Sequence, residues 1–146
     1  MTFGNDFKKR TKRTGDGSLF PVFQKIFNNT DEGGYMHRVN EKECKFREGD
    51  WGVKYILRGP RIDWGIILLK PGKTTGAHGH KEVEETFYFI KGSPKILVND
   101  VEYRVKEGDA FRLGPLEKHD IVNDTQEEVK LIFIKTPYLP EDKITY

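Results

Sequence analysis

Short apolar segments, separated by turn residues, follow one another along most of this 146-residue chain. Between Trp51 and Arg58, large apolar side chains occupy every second position, which is the period-two pattern of a half-buried strand. Gly-Pro, Pro-Gly and Gly-Asp pairs mark turns, and no segment predicts a long helix. Further strand-like segments are Trp64–Lys70, Glu85–Lys91, Pro94–Val98, Val101–Lys106, Ala110–Leu113 and Val129–Lys135. About eight such strands predict an all-β barrel or two-sheet sandwich.

The length of the chain suits one domain, and we find no internal repeat. Strand-like segments directly flank Asn99 and Asp100, so this two-residue turn predicts a hairpin. Small barrels enclose a space about wide enough for one small ligand. A small molecule is therefore the expected partner.

The two ends of the chain differ in composition from its middle. Residues 1–18 are rich in Lys and Arg and lack apolar periodicity, which predicts a flexible, solvated arm. An arm that contacts nucleic acid, or that orders against a neighbouring subunit, is the alternative. Residues 19–146 would form the single domain, with about 51–135 as its core. The tail from Pro137 to Tyr146 is expected to be an ordered extension at best, because it contains two prolines.

Composition restricts the partners and the compartment. A net charge of +2 with 33% charged residues argues against a dedicated polyanion binder, so nucleic acid is not expected as a partner. Cys44 is the single cysteine, which suits the cytoplasm, and it is expected to be a small packed hydrophobe. The longest aliphatic run, Ile66–Leu69, is too short to span a membrane. The apolar segment Phe20–Phe27 could exchange a strand with a second copy, which predicts a homodimer.

Three of the four histidines belong to one candidate site. His78 and His80 have the same parity, so on an extended segment both side chains point to one face. Glu85 begins a predicted strand five residues later, and His119 precedes a further apolar segment. Imidazole and carboxylate groups at this spacing form a natural metal-binding set. His37 has no partner at such a spacing and is expected to be structural or exposed.

Two motifs in this region resemble those of the cupin family, and the chain resembles a single-domain member. The first family motif places a glycine, His-x-His, a glutamate and a second glycine at set intervals, and it is matched at every position by Gly72, His78, His80, Glu85 and Gly92. The second motif is matched by Gly108, His119 and Asn123. Gly114 stands where a proline is usual and Leu116 where a glycine is usual. These departures concern the turn before His119.

The resemblance implies a double-stranded β-helix, or jelly-roll, barrel that binds one divalent transition metal. The implied ligands are His78, His80, Glu85 and His119. Glu84 is the alternative carboxylate, but it would lie on the opposite strand face. This ligand set suits iron, manganese, nickel, cobalt or zinc and does not choose among them. Histidine must be neutral to bind a metal, so occupancy should fall in mildly acidic buffer.

The same strand parity suggests which side chains surround the site. Candidates for the pocket wall are Phe87, Phe89, Tyr55, Trp51 and Trp64. For the two phenylalanines, ordinary core positions are an equally good interpretation. Lys95 and Arg112 could anchor a substrate anion, although both are expected at exposed strand positions.

Members of the cupin family include oxygenases and sugar or sugar phosphate isomerases and epimerases. The resemblance therefore implies a metal-dependent enzyme that acts on a small organic molecule, by dioxygenation or by metal-polarised proton transfer. A non-catalytic module that binds a metal or a sugar and senses a ligand is the alternative. A barrel whose metal only stabilises the fold is a third hypothesis.

Overall fold

A computed structural model describes residues 36–146, and within this range the predicted all-β fold is confirmed. A short 3-10 helix, Glu41–Glu43, precedes ten strands. The strands are β1 (Gly52–Arg58), β2 (Asp63–Leu69), β3 (His78–His80), β4 (Glu84–Lys91), β5 (Lys95–Val98), β6 (Val101–Arg104), β7 (Ala110–Leu113), β8 (His119–Val122), β9 (Val129–Thr136) and β10 (Lys143–Thr145). The predicted basic arm and the segment Phe20–Phe27 lie outside the described residues.

The strands form two five-stranded antiparallel sheets. One sheet has the order β1-β2-β9-β4-β7, and the other has the order β10-β3-β8-β5-β6. Neighbours such as β2 and β9, or β4 and β9, are distant in sequence, so the core depends on pairings that local patterns do not specify. The inner faces of the two sheets supply one hydrophobic core.

This core follows the period-two pattern of the strands. On β4, Phe87 and Phe89 are almost completely buried, whereas Tyr88 between them is 47% exposed. Phe87 lies directly opposite Phe133 on β9, and Phe89 lies opposite Leu131. Burial of one such side chain contributes about 1.5–3 kcal/mol. The alternation on β4 therefore orients this strand with one face inward.

The hairpin predicted around Asn99 and Asp100 is confirmed. The two residues join β5 to β6 with φ angles of +48° and +67°. Positive φ at both central positions is the geometry of the type I′ turn, which matches the twist of paired strands. Asn and Asp adopt this left-handed conformation more readily than most other residues.

Glycines at both ends of the first motif adopt backbone conformations that other residues disfavour. Gly72 has a φ of +76° and Gly92 a φ of +88°. A Cβ atom at Gly92 would also lie 2.8 Å from Cγ2 of Val129, closer than side chains tolerate. In the second motif, Leu116 occupies the usual glycine position and keeps the left-handed backbone, with a φ of +67°. The turn before His119 therefore retains a left-handed residue despite the substitution.

The outer face of β1 is more covered than its pattern predicts. Lys54, on the side of β1 expected to face solvent, is only 7% exposed. Its Nζ lies 3.9 Å from the centre of the Phe46 ring and 3.5 Å from a Glu41 carboxylate oxygen. The preceding segment thus packs over this face. Cys44, expected to be a small packed hydrophobe, lies half-buried in this segment and forms no disulfide.

The tail differs most from its prediction. It was expected to be an ordered extension at best, but it forms β10, which pairs with β3. Lys143 lies opposite His80 and Thr145 lies opposite His78. The last strand therefore borders the histidine segment directly.

Candidate metal centre

The structure brings together all four residues that the motifs single out. His78 and His80 lie on β3, Glu85 lies on β4 and His119 lies on β8, and all four side chains are buried. Their candidate ligand atoms lie within 4.8 Å of one another. Four donors in so small and buried a volume are the arrangement that a transition metal requires.

Strand pairing explains how the three histidines meet. His78 lies opposite His119 in the β3–β8 pair, and directly opposed residues point to the same face of a sheet. His80 shares that face because it is two residues beyond His78. Gly79 points the other way, where a Cβ atom would lie 3.3 Å from the Glu117 carbonyl oxygen. The small residue between the histidines therefore lets the chain segments pack closely.

Backbone carbonyls orient two of the imidazole rings. Nδ1 of His78 lies 2.7 Å from the Gly76 oxygen, and Nδ1 of His119 lies 2.9 Å from the Glu117 oxygen. A carbonyl oxygen can only accept, so each Nδ1 carries the proton and donates. In the neutral ring, Nε2 then has a free electron pair. The Nε2 atoms lie 3.7 Å and 3.2 Å from the same oxygen of Glu85.

The orientation of these two imidazole rings indicates whether the residues fit a bound metal. Two histidine lone pairs and a carboxylate oxygen face one another without a hydrogen between them when the rings are neutral. A cation bound between these electron-pair donors would attract all of them and offset the repulsion between them. The donor set therefore fits a divalent metal, with three imidazole ligands and one carboxylate.

His80 is oriented differently from the other two histidines. Its Nε2 lies 3.0 Å from Glu85 Oε2, while its Nδ1 is buried and has no hydrogen-bond partner among the described residues. The nearest acidic oxygen to this Nδ1 is Oδ2 of Asp142, at 3.9 Å. A small movement would let Nδ1 donate to Asp142, which is the outer-shell arrangement common at metal sites.

Asp142 is the residue that sequence reasoning missed. It precedes β10, is 7% exposed, and accepts hydrogen bonds from the backbone N–H groups of Glu82 and Val83 at 3.0 and 2.9 Å. Burial alone raises the pKa of Asp142, but these N–H groups and the nearby His80 hold it below the ordinary value. A single acidic residue in a proline-containing tail carries no motif that could have predicted this role.

The adjacent glutamates lie on opposite faces of β4. Burial raises the pKa of the Glu85 carboxyl, but the imidazole groups of His119, His78 and His80 that face it outweigh this effect and hold the pKa well below its ordinary value. Glu84 points outward, and its carboxylate lies 3.8 Å from Nε of Arg112. Only Glu85 is therefore placed to serve as a carboxylate ligand.

Three of the candidate wall residues, Phe87, Phe89 and Tyr55, lie on the inner face of the barrel, and Trp64 does not. Phe87 borders the cluster, with its ring centre 5.6 Å from that of His119, while Phe89 lies deeper in the core. Tyr55 packs edge-on against Phe133 at 5.2 Å on the inner face. Trp64 differs from the prediction, because it lines a groove of about 580 Å³ with outward-facing residues of β1 and β2. The structure does not bring Trp64 to the four candidate metal ligands.

The two anion anchors considered from the sequence also lie elsewhere. Lys95 forms an ion pair with Glu102 at 3.0 Å, and Arg112 is exposed beside Glu84. Different cations lie next to the cluster. Lys135 on β9 is opposite Glu85, and Lys143 on β10 is opposite His80. Neither carries a motif, and only the strand pairing reveals their position.

Comparisons with known proteins agree with this architecture. Residues 65–135 match the sequence model of the cupin domain family. An uncharacterized protein of Methanocaldococcus jannaschii is 26% identical over 88 residues, which cover 60% of this chain and 70% of that protein.

Solved structures with low sequence identity share the fold. One is a Klebsiella pneumoniae protein with a double-stranded β-helix domain, with a TM-score of 0.64 and 17% identity over 75% of this chain and 96% of that one. Another is a sugar phosphate isomerase of the cupin superfamily from Silicibacter pomeroyi, with a TM-score of 0.53 and 19% identity. That match covers 58% of this chain and 59% of that one.

Proposed function

Because the chain is a cupin-domain protein, we propose that it is a metal-dependent enzyme acting on a small organic molecule. The observation that carries this proposal is the buried cluster of four donors, in which histidine lone pairs converge on one carboxylate oxygen. The ligands would be His78, His80, Glu85 and His119, and they would hold one divalent transition metal.

Each part of the site has a separate task in this proposal. When bound, the metal would supply Lewis-acid or redox chemistry. The carbonyl groups of Gly76 and Glu117 hold two imidazoles in the metal-binding tautomer. Phe87 covers the inner side of the cluster and excludes water there. With four protein ligands, a six-coordinate metal keeps two positions for substrate and a second molecule.

Two reaction classes suit such a centre, namely oxygenation of an organic acid or phenol and isomerisation or epimerisation of a sugar or sugar phosphate. The structural likeness to a sugar phosphate isomerase supports considering the second class, although identity this low shows the fold alone. Oxygen uptake with iron-loaded protein tests the first class. Anaerobic turnover of sugar phosphates tests the second. Ligand binding without turnover in either assay would instead support a sensing module.

The metal itself is tested by elemental analysis of untagged protein after reconstitution with iron, manganese, nickel, cobalt or zinc. We expect one metal per chain, and a His119→Ala variant should bind it more than about 100-fold more weakly, beyond the loss typical of outer-shell changes. His37→Ala is the matched control, because His37 is exposed and far in sequence from the cluster. The proposal is refuted if neither the unaltered protein nor the His37→Ala variant binds one metal ion per chain.

We also propose a cytoplasmic homodimer. Tyr88, Ile90 and Ile134 are large apolar residues on the adjacent strands β4 and β9, and each is at least 40% exposed. A second copy could cover this surface. A monomeric mass by light scattering would count against the dimer.

Among the described residues, no helix is long and apolar enough to cross a membrane.

A further inference from the structure

We propose that Lys135 and Lys143 form an anion-binding subsite beside the four candidate metal ligands. The substrate would therefore carry a carboxylate or phosphate group. This inference rests on the proposed function and narrows its substrate class. The two lysines are named here the lysine pair.

Lys135 lies on the sheet face that carries the candidate metal ligand Glu85. It lies directly opposite Glu85 in the β4–β9 pair, and directly opposed residues share one face of the sheet. Its side chain is half-buried, and its Nζ donates a hydrogen bond to the hydroxyl of Tyr55 at 3.0 Å. An ammonium group has three donors, and Tyr55 accepts only one of them. Two donors of a partly desolvated cation are therefore available to a ligand.

The carboxylates near Lys135 form no direct ion pair with it. Asp63 lies opposite Lys135 on β2; its Oδ2 interacts with Arg58 at 3.5 Å, and its buried Oδ1 has no hydrogen-bond partner among the described residues. Glu85 interacts with the three histidines. Within the described part of the chain, Lys135 forms no salt bridge with either residue. Its positive charge is thus not neutralised by a direct ion pair.

Lys143 approaches the cluster from the other sheet. It lies opposite His80 in the β3–β10 pair, so the two side chains share a face. Lys143 is exposed on the edge strand β10; partial desolvation of its ammonium group lowers its pKa, and the positive charges of Arg47 and Lys135 lower it further, while Glu85 and Asp120 act in the opposite direction.

Asp120 does not neutralise Lys143 by direct contact. Its carboxylate accepts hydrogen bonds from the hydroxyls of Thr74 and Thr75, the second at 2.9 Å. Among the described residues, Lys143 has no salt bridge to Asp120 or to another acid. Cations grouped on both sides of a buried site attract an anion, and the attraction is stronger where water is partly excluded.

An anionic substrate would bind with one group at the lysine pair and its reactive part at the metal. Tyr55 then acts as a positioning residue, because it accepts a hydrogen bond from Lys135 and leaves the remaining donors directed elsewhere. Both carboxylates and phosphates accept such charge-assisted hydrogen bonds. The binding experiment distinguishes these two sources of negative charge.

The test measures binding to zinc-loaded protein by calorimetry with two pairs of probes. Fructose 6-phosphate is compared with fructose, and benzoate is compared with benzamide. We expect at least one charged probe to bind more than about 10-fold more tightly than its neutral counterpart, as expected for hydrogen bonds to a charged group. Preference for the phosphate or for the carboxylate identifies which anion the subsite takes.

Lys135→Met and Lys143→Met should each reduce this preference about 10-fold while leaving zinc affinity within a factor of about three. Lys91→Met is the matched control, because Lys91 is an exposed lysine at the opposite end of β4 from Glu85. If Lys135→Met does not fold, Lys143→Met still decides the question, because Lys143 lies on the exposed edge strand β10.

The inference is overturned if charged and neutral probes bind equally, or if the preference survives both lysine substitutions unchanged. In that second case, the anion would be bound by the metal alone. Failure of the proposed function looks different, because none of the five metals would then bind stoichiometrically to the unaltered protein. Anion preference in a protein that binds none of these metals, lost in the lysine variants, would support the subsite and refute the metal-dependent function.

Discussion

The two ends of the barrel interior are built from the same strands but have opposite chemistry. On β4 and β9, the opposed pairs run from Glu85 and Lys135, through Phe87 and Phe133, to Phe89 and Leu131. One end therefore carries buried charge and histidine, and the other is mainly apolar, with Asn123 as a buried polar residue. We call these the polar end and the apolar end.

This difference separates stability from function. Apolar side chains at the apolar end gain free energy by leaving water, whereas buried polar groups cost free energy unless they are paired. At the polar end, histidine lone pairs face a carboxylate, and His80 Nδ1 has no partner among the described residues. A fold stabilised mainly at one end can keep an unfavourable arrangement of groups at the other. The predictions below test this division, beginning with the largest expected effect.

Phe89→Ala should destabilise the fold by about 3–5 kcal/mol, because it removes a large side chain that is 0% exposed and leaves a cavity. Chemical denaturation of the metal-free protein measures this effect. Tyr88→Ala, on the exposed face of the same strand, is the control and should cost much less. Equal losses in the two variants would contradict the assignment of stability to the apolar end.

Glu85→Gln should weaken zinc binding more than about 100-fold while changing the stability of the metal-free protein by less than about 1 kcal/mol. The amide of glutamine can donate to the histidine lone pairs, so the buried group stays satisfied without the carboxylate charge. Calorimetric zinc titration and denaturant unfolding measure the two quantities. The control is Glu84→Gln on the outer face. Strong destabilisation by Glu85→Gln would show that the polar end also holds the fold together.

Asp142→Asn should weaken zinc binding about 10-fold, which is the lower range for an outer-shell partner of a histidine ligand. Asparagine can still accept from the N–H groups of Glu82 and Val83, so the loop should remain in place while the negative charge near His80 is lost. Exposed Glu141→Gln serves as the comparison. Unchanged zinc affinity in Asp142→Asn would remove Asp142 from the polar end.

Arg104→Gln, on the exposed rim, should have the smallest effect. Hydrogen bonds from Arg104 lower the pKa of Asp124 to about 2. A lowered carboxyl pKa stabilises the fold above its unfolded value near 3.9, and this stabilisation is lost as pH falls towards 2. NMR titration of the variant should show the Asp124 pKa rising, with little stability change at neutral pH because solvent screens this exposed ion pair. No rise would refute Arg104 as the cause.

Much of the fold and of the site was predictable from local pattern. Period-two alternation placed Phe87 and Phe89 on the face of Glu85, and the Asn99-Asp100 turn predicted its hairpin. The shared parity of His78 and His80 predicted one shared face, and Glu85 at the start of the next strand was expected to converge with them. These features depend on neighbours in sequence, so the order of residues alone contains them.

Other features depended on which distant strands meet. Strand parity shows which residues share a face, but it does not show what lies opposite or which face is covered. Trp64 and Lys54 were therefore misplaced, and the tail gave no sign that β10 would border β3. The local pattern thus determined most of the strands and, together with the family resemblance, the candidate metal ligands. Only the tertiary structure decided the surroundings of those ligands, because pairing between distant strands brought Asp142, Lys135 and Lys143 to them.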